Sequence, residues 1–561
     1  MNKSKTRGFA PQSEWNKVNW QKLEKTLWKL QKRIYQASQR GDVRVVRKLQ
    51  KILMKSWTAK MIAVRRVTQE NKGKKTAGID GKKALTSKQR LALVDSLIIS
   101  KRAQPTRRVW IPKPGRKEKR PLGIPTIYDR ALQALAKQAL EPEWEATFEP
   151  NSYGFRPGRS CHDAIGAIYV SINKKPKWVL DADIAKCFDK INHEALLTKL
   201  NTYPSMRRLI KSWLKAGVMD NGIFSPTNEG TPQGGVISPL LANIALHGME
   251  KAIWDYANSV KGKKTHYKKG LALIRYADDF VILHKDQKVV EECQEVINNW
   301  LHNMGLELKP SKTQMTHTLD GFNFLGFNIR QYKAGKNHSK QGFKTIIKPS
   351  KEKVQEHYGQ LSNAIRKHRA APQEALIRHL KPIIRGWCNY YRGVCSKETF
   401  NDLGNMLWNK LQRWGYRRHP KKSKSWVNKK YWGTIGDDNW VFMTKEGISL
   451  PKHAKTEIVR HKKVQDTRSP YDGDLIYWST RMREHPEMTT QKGKLLERQE
   501  GKCTHCGLTF KDGDLLEKHH IIPRANGGSN LNKNLELLHL HCHDAKHGNK
   551  INSHEIDENP F

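Results

Sequence analysis

The sequence predicts a multidomain α+β protein, and three observations carry that expectation. The chain has 561 residues, more than a single hydrophobic core usually serves. Segments with apolar residues at helical spacing flank a central stretch of short apolar runs bounded by glycine, proline and acids. From about Thr489 the texture changes again, and cysteines and histidines cluster.

The elements follow in order. From about Trp15 to Arg66, helical spacing among lysines and arginines predicts an N-terminal helical unit, residues 1–70. "NKGKKTAGIDGKKA", Asn71 to Ala84, reads as a Gly/Lys-rich loop. "RRVWIPKPGRKEKRPLGIP" reads as a strand from Val109 to Ile111, a basic turn, and a strand from Leu122 to Ile124. A helix is expected from Asp129 to about Glu143. "KWVLDADIAKCFDKI" reads as a strand running into acids and aromatics. "GTPQGGVISPLLANIAL", Gly230 to Leu246, is a Gly-rich loop opening an apolar helix, and such a loop lets backbone approach a substrate closely. "FNFLGFNI", Phe322 to Ile329, reads as one short strand, and Lys351 to Trp414 as helical. From about Arg417 to Arg460, cations interleave with Trp and Tyr, a texture suited to phosphates and stacked bases.

Composition narrows the partners. Lysine plus arginine number 103 against 53 aspartates and glutamates, a formal charge of +50 spread along the chain. A field of that sign favours a polyanion, nucleic acid first. A membrane surface is disfavoured, because no long apolar segment and no signal peptide are visible; a soluble, cytoplasmic protein is expected. Of eight cysteines, Cys161, Cys187, Cys293, Cys388 and Cys395 are scattered and read as buried or free thiols.

The strongest chemical signal is "LALIRYADDFVILHK", Leu271 to Lys285. Asp278 and Asp279 sit between two apolar runs, as at the tip of a hairpin whose strands are buried. Adjacent carboxylates repel unless cations hold them. Oxygen ligands suit Mg²⁺, and a two-ion site can clamp both oxygens of a phosphoryl displacement. Such a site needs another acid. Asp181, Asp183 and Asp189 are on offer, and strand alternation puts Asp181 and Asp183 on one face.

"YADD" between apolar strands, "DADIAKCFD" upstream, "TPQGGVISPLLANIAL" between them and "GFNFLGF" after them resemble the ordered blocks of a reverse transcriptase. "IPKPGRKEKRPLGIPTIYDRALQ" and "NSYGFRPGRSCHDAI" resemble the fingers blocks of group II intron-encoded proteins. The resemblance implies a right-hand polymerase. Asp183, Asp278 and Asp279 would be its catalytic Mg²⁺ ligands. Asp183 is preferred over Asp181 because the family has Asp-Ile/Leu, three residues, then an aromatic, here Asp183-Ile184 and Phe188. Phe188 would pack under the incoming sugar, Gln233 and Gly234 would form the nucleotide-pocket loop, and Lys113 and Arg120 would grip the triphosphate. "IRGWCNYYRGV", Ile384 to Val394, resembles the family's thumb, or maturase X region. There Trp387 is expected in the core, and Arg385 and Arg392 on the template–primer backbone.

At the C-terminus the spacing itself points to a metal. Cys503-x-x-Cys506 and His539-x-x-Cys542 read as a tetrahedral structural zinc site. Between the pairs, "EKHHIIPRANGGSNLNKNLELLHLHCHDAKH" resembles an HNH nuclease. The resemblance makes His519 and His543 ligands of a divalent metal, with His547, one helical turn on, as a third. It makes His520 the general base, oriented by Asn534 across a small loop. A zinc-stapled finger without hydrolysis would need neither His520 nor Asn534.

The expected layout is an N-terminal helical extension (1–70), fingers and palm (71–345), an α-helical thumb or maturase X domain (346–416), a basic DNA-binding region (417–488) and a ββα-metal HNH nuclease with structural zinc (489–561). By resemblance the chain would bind its intron RNA, assist splicing, nick target DNA, and copy the RNA from dNTPs by target-primed reverse transcription. A splicing factor with a dead polymerase is disfavoured by the intact acids. A retron or CRISPR-associated reverse transcriptase would not be expected to carry this nuclease.

Overall fold

In the computed structural model, residues 14–99, 102–112, 118–261, 264–335, 337–511 and 513–547 are described. The N-terminal unit is helical as expected, with helices Trp20–Gln39, Val43–Lys55 and Trp57–Arg65. Each starts on a side-chain cap from Asn19, Asp42 or Ser56 that satisfies an otherwise orphaned amide. Their buried faces pack on the long helix Ile127–Glu145.

The strands of the two largest sheets are, in chain order, β1 (Thr106–Pro112), β2 (Lys119–Ile124), β3 (Trp178–Asp183), β4 (Val218–Asp220), β5 (Ile223–Ser225), β6 (Ala272–Tyr276), β7 (Asp279–His284) and β8 (Gln314–His317). One sheet has the order β2-β1-β4-β5 and lies where the fingers are expected. The other, β6-β7-β3-β8, is antiparallel throughout and forms the palm. Its apolar residues are buried on both faces, Val179 and Leu283 on one and Leu180 and Ile282 on the other, between helix layers. "FNFLGFNI" is a tight hairpin rather than one strand. β9 (Phe322–Phe324) turns at Leu325 and Gly326, both left-handed (φ 49° and 81°), into β10 (Phe327–Lys333), which pairs with β11 (Phe343–Pro349).

Three helices, Lys351–Lys367, Gln373–Tyr391 and Lys397–Arg418, follow. Trp387 stacks on the buried His357 ring at 4.5 Å. The basic–aromatic region folds as helix Lys424–Tyr431 and hairpin β12 (Trp432–Ile435) with β13 (Asp438–Phe442). Trp426 and Trp440 stay exposed there, with Lys422 and Lys430 over the Trp426 ring.

Residues 457–488 form a strap across the palm. Arg159 donates to the carbonyls of Asp466 (2.6 Å) and Arg468 (3.2 Å). Asp163, fully buried at the start of palm helix Cys161–Ile172, accepts from Arg481 at 2.6 Å and faces His461 Nε2 at 3.0 Å. Burial alone would raise the Asp163 carboxyl; His461 and Arg481 hold it far below the usual range. Tyr471 donates to Glu141 at 2.9 Å.

The last segment is a ββα unit: β14 (Leu516–His520), β15 (Leu535–His539) and helix Leu540–Lys546. Its core is small, built from residues such as Leu495, Phe510, Leu537 and Cys542. A core that size needs a staple. The segment also rests on the N-terminal helices. Arg65, 3% exposed, pairs with Glu24 and, at 2.7 Å, with Glu70, and both carboxylates face His541. Burial alone would raise the Glu24 carboxyl, but Arg65 and His541 outweigh it and hold the group at about 2. Removing Arg65 would leave two half-buried carboxylates without their cation, a loss of about 3 kcal/mol. Arg65→Ala is expected to lower the thermal midpoint and to make the C-terminal unit more susceptible to limited proteolysis. Unchanged proteolysis would show that the interface contributes nothing.

Candidate active sites

The palm site follows from strand register. β7 lies between β6 and β3, and Asp183 is directly opposite Asp279. Facing residues on adjacent strands have Cβ atoms ~4.5–5.5 Å apart, so the two carboxylates share one patch. The β6–β7 turn is only Ala277-Asp278, with Ala277 left-handed at φ 57°, and Asp278 sits beside them. Asp181 lies two residues back on the same face of β3.

Crowding three acids raises their proton affinity. Burial first, then Asp278 and Asp183, push the Asp279 carboxyl up to about 7. Burial first, with Asp183 adding to it, raises Asp278. Asp181 rises to about 7 through burial and then Asp183. Lys312 answers part of this charge, its ammonium 2.6 Å from Asp183 Oδ2. The donor set is all oxygen, clustered and electron-rich, and it fits hard divalent cations.

Arg275 sets the turn from behind. It is 1% exposed and donates to the Ala277 carbonyl (3.0 Å), to Asn243 Oδ1 (3.1 Å) and to Ser152 Oγ (2.7 Å). Burial pushes the guanidinium down to about 10, so it remains charged at neutral pH. Gly154 closes the other side, because a Cβ there would stand 2.3 Å from the Ala277 nitrogen. Arg275→Ala is expected to cost about 3 kcal/mol or more and to depress DNA synthesis, since three acceptors lose a charged donor. Thermal unfolding and primer extension check it, and full retention of both would refute the role.

The other polymerase candidates fall around this patch. Phe188 is half-buried, 6.0 Å edge-on to the exposed Phe155, which is left-handed at φ 61°. Gln233 Nε2 lies 3.4 Å from both carboxylate oxygens of Asp189, and the Gly123 N–H donates to the Gln233 carbonyl at 2.6 Å. Gly234 is held at φ 114°, where a Cβ would meet the Gly123 carbonyl at 2.9 Å, so this loop binds palm to fingers. Arg120 is exposed on β2 and close enough to favour the charged form of Asp278. Lys113 lies outside the described residues. Arg385 is exposed. Arg392 is corrected: 7% exposed, it is spent on the carbonyls of Pro486 and Met488, not on a nucleic-acid backbone.

In the C-terminal unit, Cys503, Cys506, His539 and Cys542 converge, their donor atoms within 4.8 Å of one another. Three sulfurs and one nitrogen fit zinc. Asp514 Oδ2 lies 3.4 Å from His539 Nε2, as an outer partner of a ligating histidine does. Separately, His519, His543 and His547 converge, with His519 Nδ1 3.0 Å from His547 Nε2. Burial first, then the neighbouring rings, depress the His543 imidazole to about 4, so it is a neutral lone-pair donor at neutral pH.

His520 follows His519 on β14, pointing to the other face. Its Nε2 is 2.9 Å from Asn530 Oδ1, which accepts, so Nδ1 carries the free lone pair. Asn534 does not reach that ring. It accepts from the Ile522 N–H (2.8 Å) and donates to the carbonyls of Ile522 (3.1 Å) and Ser529 (2.9 Å), closing the loop that presents Asn530. Sequence reasoning missed Asn530, Arg275 and Lys312. The one signal available was a cation, Arg275, inside the apolar run "LALIRYADD".

A palm sheet with opposed acids, followed by a ββα unit with a histidine triad, defines a reverse transcriptase that carries an endonuclease. Family models agree along the chain: N-terminal domain of reverse transcriptase over residues 15–97, reverse transcriptase (RNA-dependent DNA polymerase) over 111–329, group II intron maturase-specific domain over 354–432, and HNH endonuclease over 503–549. Among curated proteins, Protein YkfC of Escherichia coli (strain K12) is 36% identical over 326 residues, covering 51% of this chain and 84% of its own. Group II intron-encoded protein LtrA of Lactococcus lactis subsp. cremoris is 28% identical over 499 residues, covering 74% of this chain and 80% of its own. The chain belongs to the group II intron-encoded proteins, as an RNA-directed DNA polymerase and maturase with an HNH endonuclease domain. Among the described residues, no helix is long and apolar enough to cross a membrane.

Proposed function

We propose that this chain binds its own intron RNA, assists its splicing, nicks one strand of a target DNA and extends the new 3′ end along the RNA. The observation that carries the reading is Asp183 opposite Asp279, with Asp278 at the adjoining turn.

Asp183, Asp278 and Asp279 would hold the catalytic divalent cations, taken to be two Mg²⁺ ions, and such ions would supply charge neutralisation for nucleotidyl transfer. Phe188 lies under the sugar of the incoming dNTP, the Gln233-Gly234 loop shapes the pocket, and Arg120 and Lys113 meet the triphosphate. In the nuclease, His519, His543 and His547 would hold a divalent metal, which would supply charge stabilisation at the cleaved phosphate. His520 takes the proton from water at Nδ1, while Asn530 holds its ring and Asn534 holds the loop. Cys503, Cys506, His539 and Cys542 hold a structural zinc. We assign residues 1–70 to an N-terminal extension, 71–345 to fingers and palm, 346–416 to the thumb, 417–488 to DNA binding and 489–561 to the nuclease.

The test pairs primer extension on poly(rA)/oligo(dT) with nicking of target DNA by the ribonucleoprotein assembled on the cognate intron RNA. Extension without nicking, or splicing support without extension, would each remove one limb of the reading.

A further inference from the structure

Where palm helix Cys161–Ile172 begins, three donor atoms converge that neither active site uses. Cys161 Sγ lies 3.6 Å from His162 Nδ1, and Glu487 Oε1 lies 3.9 Å from the same nitrogen. The three lie within 4.8 Å of one another. Cys161 and His162 are buried, and Glu487 is half-buried. Ligand atoms around a tetrahedral zinc, with bonds of ~2.0–2.3 Å, stand ~3.3–3.8 Å apart, so a small closure would seat a metal.

Surrounding bonds orient the histidine ring and fix the backbone that carries Glu487. His162 Nε2 is 2.7 Å from the Tyr390 carbonyl. A carbonyl only accepts, so Nε2 carries the hydrogen and Nδ1 keeps its lone pair. Metal-ligating histidines are commonly fixed in this way by an outer carbonyl. The Glu487 backbone is pinned on both sides, because Arg392 donates to the carbonyls of Pro486 and Met488. Its own N–H donates to His485 Nδ1 at 3.3 Å. The neighbouring histidines are already engaged, His485 Nε2 with Ser160 Oγ (3.3 Å) and His461 Nε2 with Asp163 (3.0 Å). Among the described residues, His162 is the basic group within ion-pair distance of the Glu487 carboxylate; no lysine or arginine nitrogen is.

We propose that Cys161, His162 Nδ1 and Glu487 bind a divalent metal of the zinc class, which ties the palm to the strap leading to the nuclease. Sulfur, imidazole and carboxylate together suit a borderline cation rather than Mg²⁺. Binding releases the Cys161 thiol proton to solvent, and a fourth position remains for water. The site is separate from the C-terminal Cys/His cluster and shares no residue with it.

The test counts zinc in the full-length protein by elemental analysis, then titrates Zn²⁺ against a chromophoric chelator. Cys161→Ser is expected to hold one zinc fewer than the unaltered chain, and Cys503→Ser to lose a different one, so the double variant loses both. Glu487→Gln, at a half-buried position, is expected to weaken the palm zinc by roughly tenfold or more, and it answers the question should Cys161→Ser fail to fold. Equal zinc content and affinity in the unaltered chain and these variants would overturn the proposal, leaving a thiol–imidazole hydrogen bond only.

Discussion

Asp278→Ala is expected to reduce DNA synthesis by about 10³-fold or more while splicing support survives. Asp278 sits at a two-residue turn beside Asp183 and Asp279. If the proposed two-ion site is right, losing one of its oxygen ligands removes transition-state charge stabilisation of several kcal/mol, and about 4 kcal/mol corresponds to ~10³-fold. The fold should not suffer. Burial raises the Asp278 carboxyl, with Asp183 adding to it, so removing the acid relieves repulsion that exists whenever cations are absent. The substitution removes no basic surface, so splicing support should persist. Primer extension and a splicing assay on one preparation check both halves, and retained synthesis would refute the metal assignment.

His520→Ala is expected to cut nicking by ~10²–10⁴-fold and to leave primer extension unchanged. The ring is held through Nε2 by Asn530, while the proposed metal triad His519, His543 and His547 is formed by other side chains and should be left intact. A loss confined to nicking, with metal still bound, separates proton transfer from metal binding. Continued nicking would mean that another group takes the proton. Asn530→Ala should give a milder version of the same defect, because it removes the ring's orientation but not the base.

Much of this was legible beforehand because the signals were local. Apolar runs on either side of Asp278-Asp279 require buried strands, and a two-residue turn between them leaves few places for the carboxylates. The spacing of Cys503, Cys506, His539 and Cys542 likewise contains most of a tetrahedral site. The hairpin at Leu325-Gly326 was misread because a short apolar run has no periodicity with which to show a reversal. Arg392 was misread because a cation beside aromatics looks the same whether it faces phosphate or two carbonyls of a distant strap.

The sequence alone determined the order of the units, the sign of the surface charge, and the residue types at both active sites, because those depend on neighbours along the chain. Only the tertiary structure decided which groups meet across it. It set Asp183 against Asp279 by strand register, brought Lys312 to Asp183, placed Arg275 behind the turn, and gave His520 to Asn530 rather than Asn534. It also set the nuclease on Arg65 and brought Glu487 to Cys161 and His162, more than 300 residues away. The physical reason is that a buried polar group must find a partner wherever folding places one, and separation along the chain carries no record of that choice.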